Sequence, residues 1–436
     1  MKNLLVIAYY FPPSGGPGVQ RVLKHIKYLR EYGWNPIVLT VSNGDFPARD
    51  ESLLKQIPSD IRVIRTKIFE PYDLYRALTG KGKDTAIDVN VIKKDGEKIG
   101  MKEQLAEFVR STFFIPDARI GWLVTARKAI NELLATEHIS AVYSSSPPYT
   151  CSIIARHIKR KYGIPWIAGF RDPWTGFISS PKRWLIPKKI DMTMERSVFT
   201  EADAVECAWE GIIKDALSKY PELNPAKFHH VPNGFDSSDF PEVHWQKNEK
   251  FTLTYTGSMY GRRNPAALFS AIENLILNNK ISPSNIKLRF IGRFGNEVLD
   301  MFEKASFRES IEIISYMSHG ESIANLMRSD CLLLVVDESK ESEEIVPGKV
   351  YEYIGVGRPI IANGPEDGAV GKLIKATKAG FIAHQSNIRK IEEILFNYYK
   401  QWLDGKIEYN PDTNEIQKYE RKNAALKLSQ LLNEIT

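Results

Sequence analysis

The chain has 436 residues, 43% apolar and 26% charged, enough for two domains with full cores and ordinary for a globular protein. No apolar run approaches the roughly 20 residues that span a bilayer. Cys151, Cys207 and Cys331 are too scattered for a metal motif or a disulfide framework and suit a reducing cytosol. The net charge of +6 hides an asymmetry. Residues 1–200 carry 31 Lys and Arg against 19 Asp and Glu, a balance of +12, whereas residues 201–436 carry 28 against 34, a balance of −6. A basic first half suits an anionic partner (a membrane surface, a phosphorylated acceptor or nucleic acid) or is simply a solvated surface. No nucleic-acid recognition motif accompanies the charge, so nucleic acid is not expected as a partner.

The short apolar run after Met1-Lys2-Asn3 meets Tyr and Pro and reads as a first strand, not a signal peptide. Residues 4–9 are continuously apolar, as in a buried parallel strand. Phe11-Pro12-Pro13-Ser14-Gly15-Gly16-Pro17-Gly18 follows, then a helix with Val22, Ile26 and Leu29 on one face, then a strand at 37–41. This strand–glycine loop–helix opening suits a phosphate or close substrate approach. Its spacing is not G-x-G-x-x-G, and the second strand ends in Thr40, Val41 and Ser42 with no acid for a ribose, which argues against a dinucleotide. Residues 49–102 are polar and mixed in charge and read as a partly mobile insertion. From Phe108 to Trp122, aromatics alternate with Arg110 and Arg119, and Arg127 and Lys128 follow. That suits either a membrane interface or a helix packed on the sheet. A strand at 141–144 leads into Ser145-Ser146-Pro147-Pro148-Tyr149-Thr150 and a helix at 151–161, whose start is a candidate anion site. A strand at 166–170 runs into Arg171-Asp172-Pro173-Trp174; Asp172 is placed to hydrogen-bond a ligand or to cap the next turn. Lys182 to Lys189 is a second basic-aromatic stretch, before a helix at 188–202 and a strand at 204–207.

A second strand–glycine loop–helix opening begins at Phe251: strand 251–256, loop Gly257-Ser258-Met259-Tyr260-Gly261-Arg262-Arg263-Asn264-Pro265, then a helix through Asn274. Strands follow at 287–291, ending in Gly292-Arg293-Phe294-Gly295; at 311–314, ending in Tyr316-Met317-Ser318-His319; and at 331–336. His319 reads as a helix-cap neighbour. The stretch EEIVPGKVYEYIGVGRPIIAN, residues 343–363, organises the rest. Pro347 fits the first turn of a helix and Gly348 allows close backbone approach, so the free N–H groups there suit a phosphate. Glu344 lies in the loop before that helix and Glu352 about a turn inside it, so both can face one ligand.

Glu344-x7-Glu352, followed by Tyr353 and Gly-Arg-Pro-Ile-Ile, resembles the Glu-x7-Glu signature of retaining glycosyltransferases. Pro-Gly-Lys-Val-Tyr-Glu-Tyr resembles glycosyltransferase family 4, and Ser-Ser-Pro-Pro with Phe-Arg-Asp-Pro-Trp resembles a bacterial subset of it. The resemblance implies the α/β GT-B fold, two Rossmann-like domains facing a central cleft. It divides the chain into an acceptor-side domain at 1–236, closed by Pro232-Asn233-Gly234-Phe235-Asp236; a linker at 237–250; a nucleotide-sugar domain at 251–412; and a helix from 413 to 436 crossing back. The resemblance also implies the roles. Gly15, Gly16 and Gln20 line the loop over the donor diphosphate. Arg262 or Arg263, with Lys349 and the N–H groups after Gly348 in the turn Pro347-Gly348-Lys349-Val350, hold the leaving diphosphate, with Gly257 and Arg293 beside them. Backbone near Met317 contacts the base. Glu352 accepts from the ribose, and Glu344 meets the sugar. Two departures stand out: Ser258 replaces a basic residue, and Arg171 replaces the histidine that usually precedes Asp172. No Asp-x-Asp occurs, so a metal-free reaction is expected, with no cofactor beyond the nucleotide sugar and a saccharide or lipid-linked acceptor as partner. The expected place is the cytoplasm or the inner face of a membrane, in polysaccharide or glycolipid assembly. A catalytically dead scaffold and a nucleotide-sugar epimerase share the fold and are the rival readings.

Overall fold

The computed structural model describes the chain apart from residues 47, 70–107, 110, 178–179, 245, 316 and 338–342. It divides into two compact units, Met1–Pro232 with Ala424–Thr436, and Asn233–Asn423.

The first unit is built on seven parallel strands: β1 (Lys2–Ala8), β2 (Trp34–Val41), β3 (Arg62–Thr66), β4 (Ala141–Ser146), β5 (Trp166–Phe170), β6 (Ala204–Cys207) and β7 (Phe228–His230), in the order β3-β2-β1-β4-β5-β6-β7. Strand side chains alternate between faces. Leu5 and Ile7 enter one apolar cluster with α2 (Trp122–Thr136), α3 (Thr150–Tyr162), α4 (Leu185–Glu201) and α5 (Glu210–Lys219). Leu4, Val6 and Ala8 enter another with α1 (Pro17–Leu29). Both faces are covered, which is why β1 reads as an unbroken apolar run. The stretch 49–66, expected as a loose insertion, instead carries the edge strand β3. Edge position leaves Val63 and Ile64 only half-buried, so the strand's polar residues conceal its period. From residue 70 onward the expected insertion lies outside the described residues.

A buried polar network ties three of these elements. Arg21 on α1 donates to Glu206 of β6 at 2.7 Å and to the carbonyls of Val231 and Pro232, while Tyr143 of β4 donates to the other Glu206 oxygen at 2.6 Å. Burial alone would raise the Glu206 carboxyl; Arg21 and His25 outweigh it and hold the group down at about 2.

The second unit has six parallel strands: β8 (Phe251–Thr256), β9 (Ile286–Ile291), β10 (Ile311–Ile314), β11 (Cys331–Val335), β12 (Ile360–Asn363) and β13 (Gly380–Ala383), ordered β10-β9-β8-β11-β12-β13. Its helices are α6 (Ala266–Leu277), α7 (Asn296–Lys304), α8 (His319–Met327), α9 (Gly348–Val356), α10 (Ala369–Thr377), α11 (Ile388–Leu403) and α12 (Thr413–Gln417). The last helix, α13 (Arg421–Ile435), buries Leu428, Leu431 and Leu432 in the first unit's α1-side cluster. Each sheet reverses strand order once, between β1 and β4 and between β8 and β11, and the carboxyl ends beside such a switch point are where open α/β sheets bind ligands. Among the described residues, no helix is long and apolar enough to cross a membrane.

Candidate active site

In the second unit, the carboxyl end of β8 meets the start of α9. Tyr353, fully buried, accepts the Thr256 N–H at 2.8 Å and so pins the last residue of β8 to the helix. Gly257 follows with φ +108°, and a side chain there would press on the Lys349 ammonium, 2.9 Å from the Cβ position. Gly292, at the end of β9, has φ +144° and would drive a Cβ into the Gly257 carbonyl. Two glycines thus let adjacent strand ends close up beneath one cation. Lys349 donates to Tyr255 Oη at 2.6 Å and to the Thr256 carbonyl at 3.0 Å. Tyr255 in turn donates to the Ser258 carbonyl at 2.8 Å. Burial first, then the charge of Arg263, pushes the Lys349 ammonium down to about 7, and Glu352 pulls it partly back.

The structure separates the two candidate arginines. Arg262 is exposed; Arg263 is half-buried, and its Nε is buried without a hydrogen-bond partner. Among the described residues neither Arg263 nor Lys349 forms an ion pair. Helix α9 starts at Gly348. Pro347 is its extended N-cap residue (ψ 141°) and not part of the first turn, and no side chain caps the helix. An uncapped helix start thus joins two unpaired cations, an arrangement that favours an anion. Val350, one turn in, is buried and anchors the helix in its core.

Glu352 meets His319, Oε1 to Nε2 at 2.9 Å. His319 is the first residue of α8, behind a capping box in which Ser318 and Glu321 satisfy each other's backbone N–H. It is therefore more than a cap neighbour, since it orients the candidate ribose acceptor. Glu344 is exposed in a turn and makes no hydrogen bond or ion pair with a described residue; the structure does not join it to Glu352. Arg293 projects into solvent, while its carbonyl accepts the Met259 N–H at 3.1 Å. Met317 accepts from Asn325 through its sulfur at 3.5 Å.

In the first unit, Gly16 has φ +103° and precedes α1, Gly15 donates its N–H to the Ala48 carbonyl at 2.9 Å, and Gln20 is half-exposed one turn into the helix. Gly18 abuts the Arg171 guanidinium, which donates to Ser145 Oγ at 2.6 Å and to the Pro147 carbonyl. Arg171 thus fastens the segment after β5 to the end of β4 and lies against the start of α1. Asp172 beside it accepts from no described residue, and burial raises its carboxyl against the pull of Arg171. The anion site expected at the start of α3 is already filled. Asp117 accepts from the Thr150 N–H at 2.9 Å and from its hydroxyl at 2.8 Å.

The model of Glycosyltransferase Family 4 matches residues 72–239. Over those residues the chain is similar to the family 4 glycosyltransferases. No curated protein sequence matches it. Among solved structures, HepE of Anabaena in complex with UDP is 11% identical, with a TM-score of 0.59 and 100% of both chains covered. Sucrose-phosphate synthase of Thermosynechococcus elongatus is 10% identical, with a TM-score of 0.58, covering 100% of this chain and 99% of that one. The lipopolysaccharide outer core galactosyltransferase WaaB, in its apo form, is 12% identical, with the same TM-score and coverage. These likenesses establish the GT-B fold over the full length of the chain.

Sequence reasoning named Lys349, Glu352 and the arginine pair but missed Tyr255 and the roles of Tyr353 and His319. The tyrosines are core-like in sequence, and only the β8–α9 packing gives their hydroxyls a task. Ser318-x-x-Glu321 is a readable capping box and would have set His319 on the first helical turn.

Proposed function

We propose that the chain transfers a hexosyl group from a nucleoside-diphosphate sugar to a hydroxyl of a saccharide or lipid-linked acceptor, with retention and without a metal. The observation that carries this reading is the pairing of Arg263 and Lys349, both without carboxylate partners among the described residues, at the uncapped start of α9. Breaking the sugar–phosphate bond places negative charge on the leaving diphosphate. Two cations and the helix N–H groups stabilise it as it forms. The anomeric C–O bond breaks, the acceptor oxygen bonds to the same face, and the acceptor proton passes to the departing phosphate oxygen. Glu352, oriented by His319, accepts from the donor ribose; Glu344 faces the sugar; Asp172 serves the acceptor side. The setting we infer is cell-surface polysaccharide or glycolipid assembly, at the cytoplasmic face of the membrane. The UDP held by HepE puts UDP-sugars first in the panel.

The test is a thermal-shift panel of UDP-, GDP- and ADP-sugars on the full chain, with and without EDTA. At a hundred times Kd the fold gains about 2.7 kcal/mol. One base should give a shift that EDTA leaves intact and Arg263→Ala abolishes. If no nucleotide sugar moves the melt, the catalytically dead scaffold takes its place.

A further inference from the structure

The first unit carries an outward-facing apolar and basic surface that the donor site does not use. It is built from residues 111–116 and from 182–190, which Arg183 clamps together. Arg183 donates to the carbonyls of Ser111, Phe114 and Pro116 at 2.7, 3.0 and 2.7 Å, and its Nε meets Asp191 at 2.7 Å in a pair almost wholly buried. Trp174 donates to the second Asp191 oxygen at 2.8 Å, and Trp184 donates to Thr112 at 3.0 Å. The one arginine of the stretch is thus consumed in holding the platform.

What the platform presents is unusual for a water-facing surface. Phe113 is 68% exposed, Trp184 44%, Leu185 84%, Ile186 61% and Ile190 43%. Helix α4 turns Pro187, Asp191, Glu195, Val198 and Phe199 inward. At about 100° per residue, that leaves Leu185, Ile186, Lys189 and Ile190 on the opposite side. Lys182, Lys188 and Lys189 are all exposed, and neither segment contains an acidic residue. Tryptophan, phenylalanine and long aliphatics interleaved with lysine fit a bilayer interface, where rings sit at headgroup depth and ammonium groups meet lipid phosphates. A protein partner is the weaker fit, since protein interfaces select against lysine.

We propose that this surface docks the chain onto an anionic lipid bilayer, inserting Phe113, Trp184, Leu185 and Ile186 shallowly while Lys182, Lys188 and Lys189 bind headgroups. The inference deepens the lipid-linked acceptor part of the proposed function and rests on that reading only for its purpose.

The experiment is co-sedimentation of the full chain with vesicles of phosphatidylcholine, alone or with about a third phosphatidylglycerol, without donor or acceptor. Binding should require the anionic lipid and weaken as salt rises. Leu185→Ser with Ile186→Ser, and separately Lys188→Glu with Lys189→Glu, should each cut partitioning roughly tenfold or more. Both pairs are exposed, so the melt and the nucleotide-sugar shift should stay as in the parent. A lost nucleotide shift with intact vesicle binding would count against the donor site alone. Wild-type chain that ignores anionic vesicles, or variants that bind as well as the parent, overturn the proposal. So does a dimer in analytical ultracentrifugation that Leu185→Ser and Ile186→Ser dissolve, since a second copy would then be the occupant.

Discussion

The two units open alike, strand to glycine-rich loop to helix, yet they treat buried positive charge in opposite ways. In the first, Arg21 is sealed against Glu206 and two carbonyls, and Arg171 is spent on Ser145 and Pro147. In the second, Lys349 and Arg263 lie close enough to repel, and among the described residues neither forms an ion pair with a carboxylate. A buried cation with its own anion is framework; one without is held at a cost that a ligand's charge can offset. The comparison therefore predicts opposite outcomes for the same kind of mutation. In the first unit, removing charge should damage the fold. In the second, it should damage binding.

The largest effect is expected from Glu206→Ala. It strands Arg21 in the core and leaves Tyr143 without its acceptor, at about 3–5 kcal/mol. Chemical denaturation should show that loss, while any folded fraction binds donor normally. The wild-type pair also sets an acid limit. Glu206 titrates lower folded than unfolded, so its contribution is full above the usual carboxylate pKa of about 4.3 and fades as pH falls toward about 2. A pH series of melts on wild type and Glu206→Gln should differ in that interval.

Next comes the reverse case. Lys349→Met and Arg263→Ala should each weaken nucleotide-sugar binding roughly a hundredfold by calorimetry. Lys349→Met should leave the melt unchanged or higher at neutral pH, because it removes a desolvated charge. The sign follows from the depressed ammonium. Between about 7 and about 10.4 the unfolded lysine holds a proton that the folded one has lost, so wild-type stability rises with pH there. The Met variant should be flat. A Lys349→Met protein that melts far below wild type would return Lys349 to the framework.

How far sequence alone could draw this contrast depends on what each residue needs to be recognised. The continuous apolar runs of β1 and β8, and the Val-Pro-Gly start of α9, declare themselves because burial on both faces and a helix start each leave a local signature. β3, β7 and β13 do not. Short edge strands such as Phe228–His230 and Gly380–Ala383 bury too little to show a period. Arg262 and Arg263 are equivalent in sequence; only the turn geometry decides that Arg263 faces inward. Asp117 lies 33 residues from Thr150, so nothing local could show that the α3 start was taken. Pairing partners are long-range facts, and they separate the two kinds of cation.

Gly257→Ala sharpens the contrast by perturbing the second site without touching its charge. The left-handed φ and the contact with Lys349 should together destabilise by about 1–2 kcal/mol. The ammonium should also be displaced, so donor affinity falls along with the melt. Stability loss with unchanged affinity would mean that Lys349 does not work from that position.

The pH dependence of donor binding is a finer probe, because it reads the cation pair directly. A bound diphosphate favours the charged Lys349, which the free protein begins to lose above about 7. Affinity should therefore drop as pH rises beyond 7, by at most about tenfold per unit while the complex stays protonated. Arg263→Ala removes the like charge that helps depress the ammonium, so the break should move to higher pH even as overall affinity falls. If the break stays in place, the two cations do not share a site.

The smallest expected effect is at Glu352, where the site holds a charge whose partner is His319. Glu352→Gln keeps the shape and one acceptor oxygen but weakens each hydrogen bond by removing its charge, by about 0.5–1.5 kcal/mol. Because a ribose contact is made equally in ground and transition states, donor KM should rise severalfold with kcat nearly unchanged. Glu344→Ala should do the opposite, lowering kcat more than it raises KM, since a group facing the reacting sugar matters most as positive charge develops there. His319→Ala should copy Glu352→Gln if its task is to orient the carboxylate. A kcat loss at His319 that Glu352→Gln does not share would move the histidine from a positioning residue to one acting on the substrate.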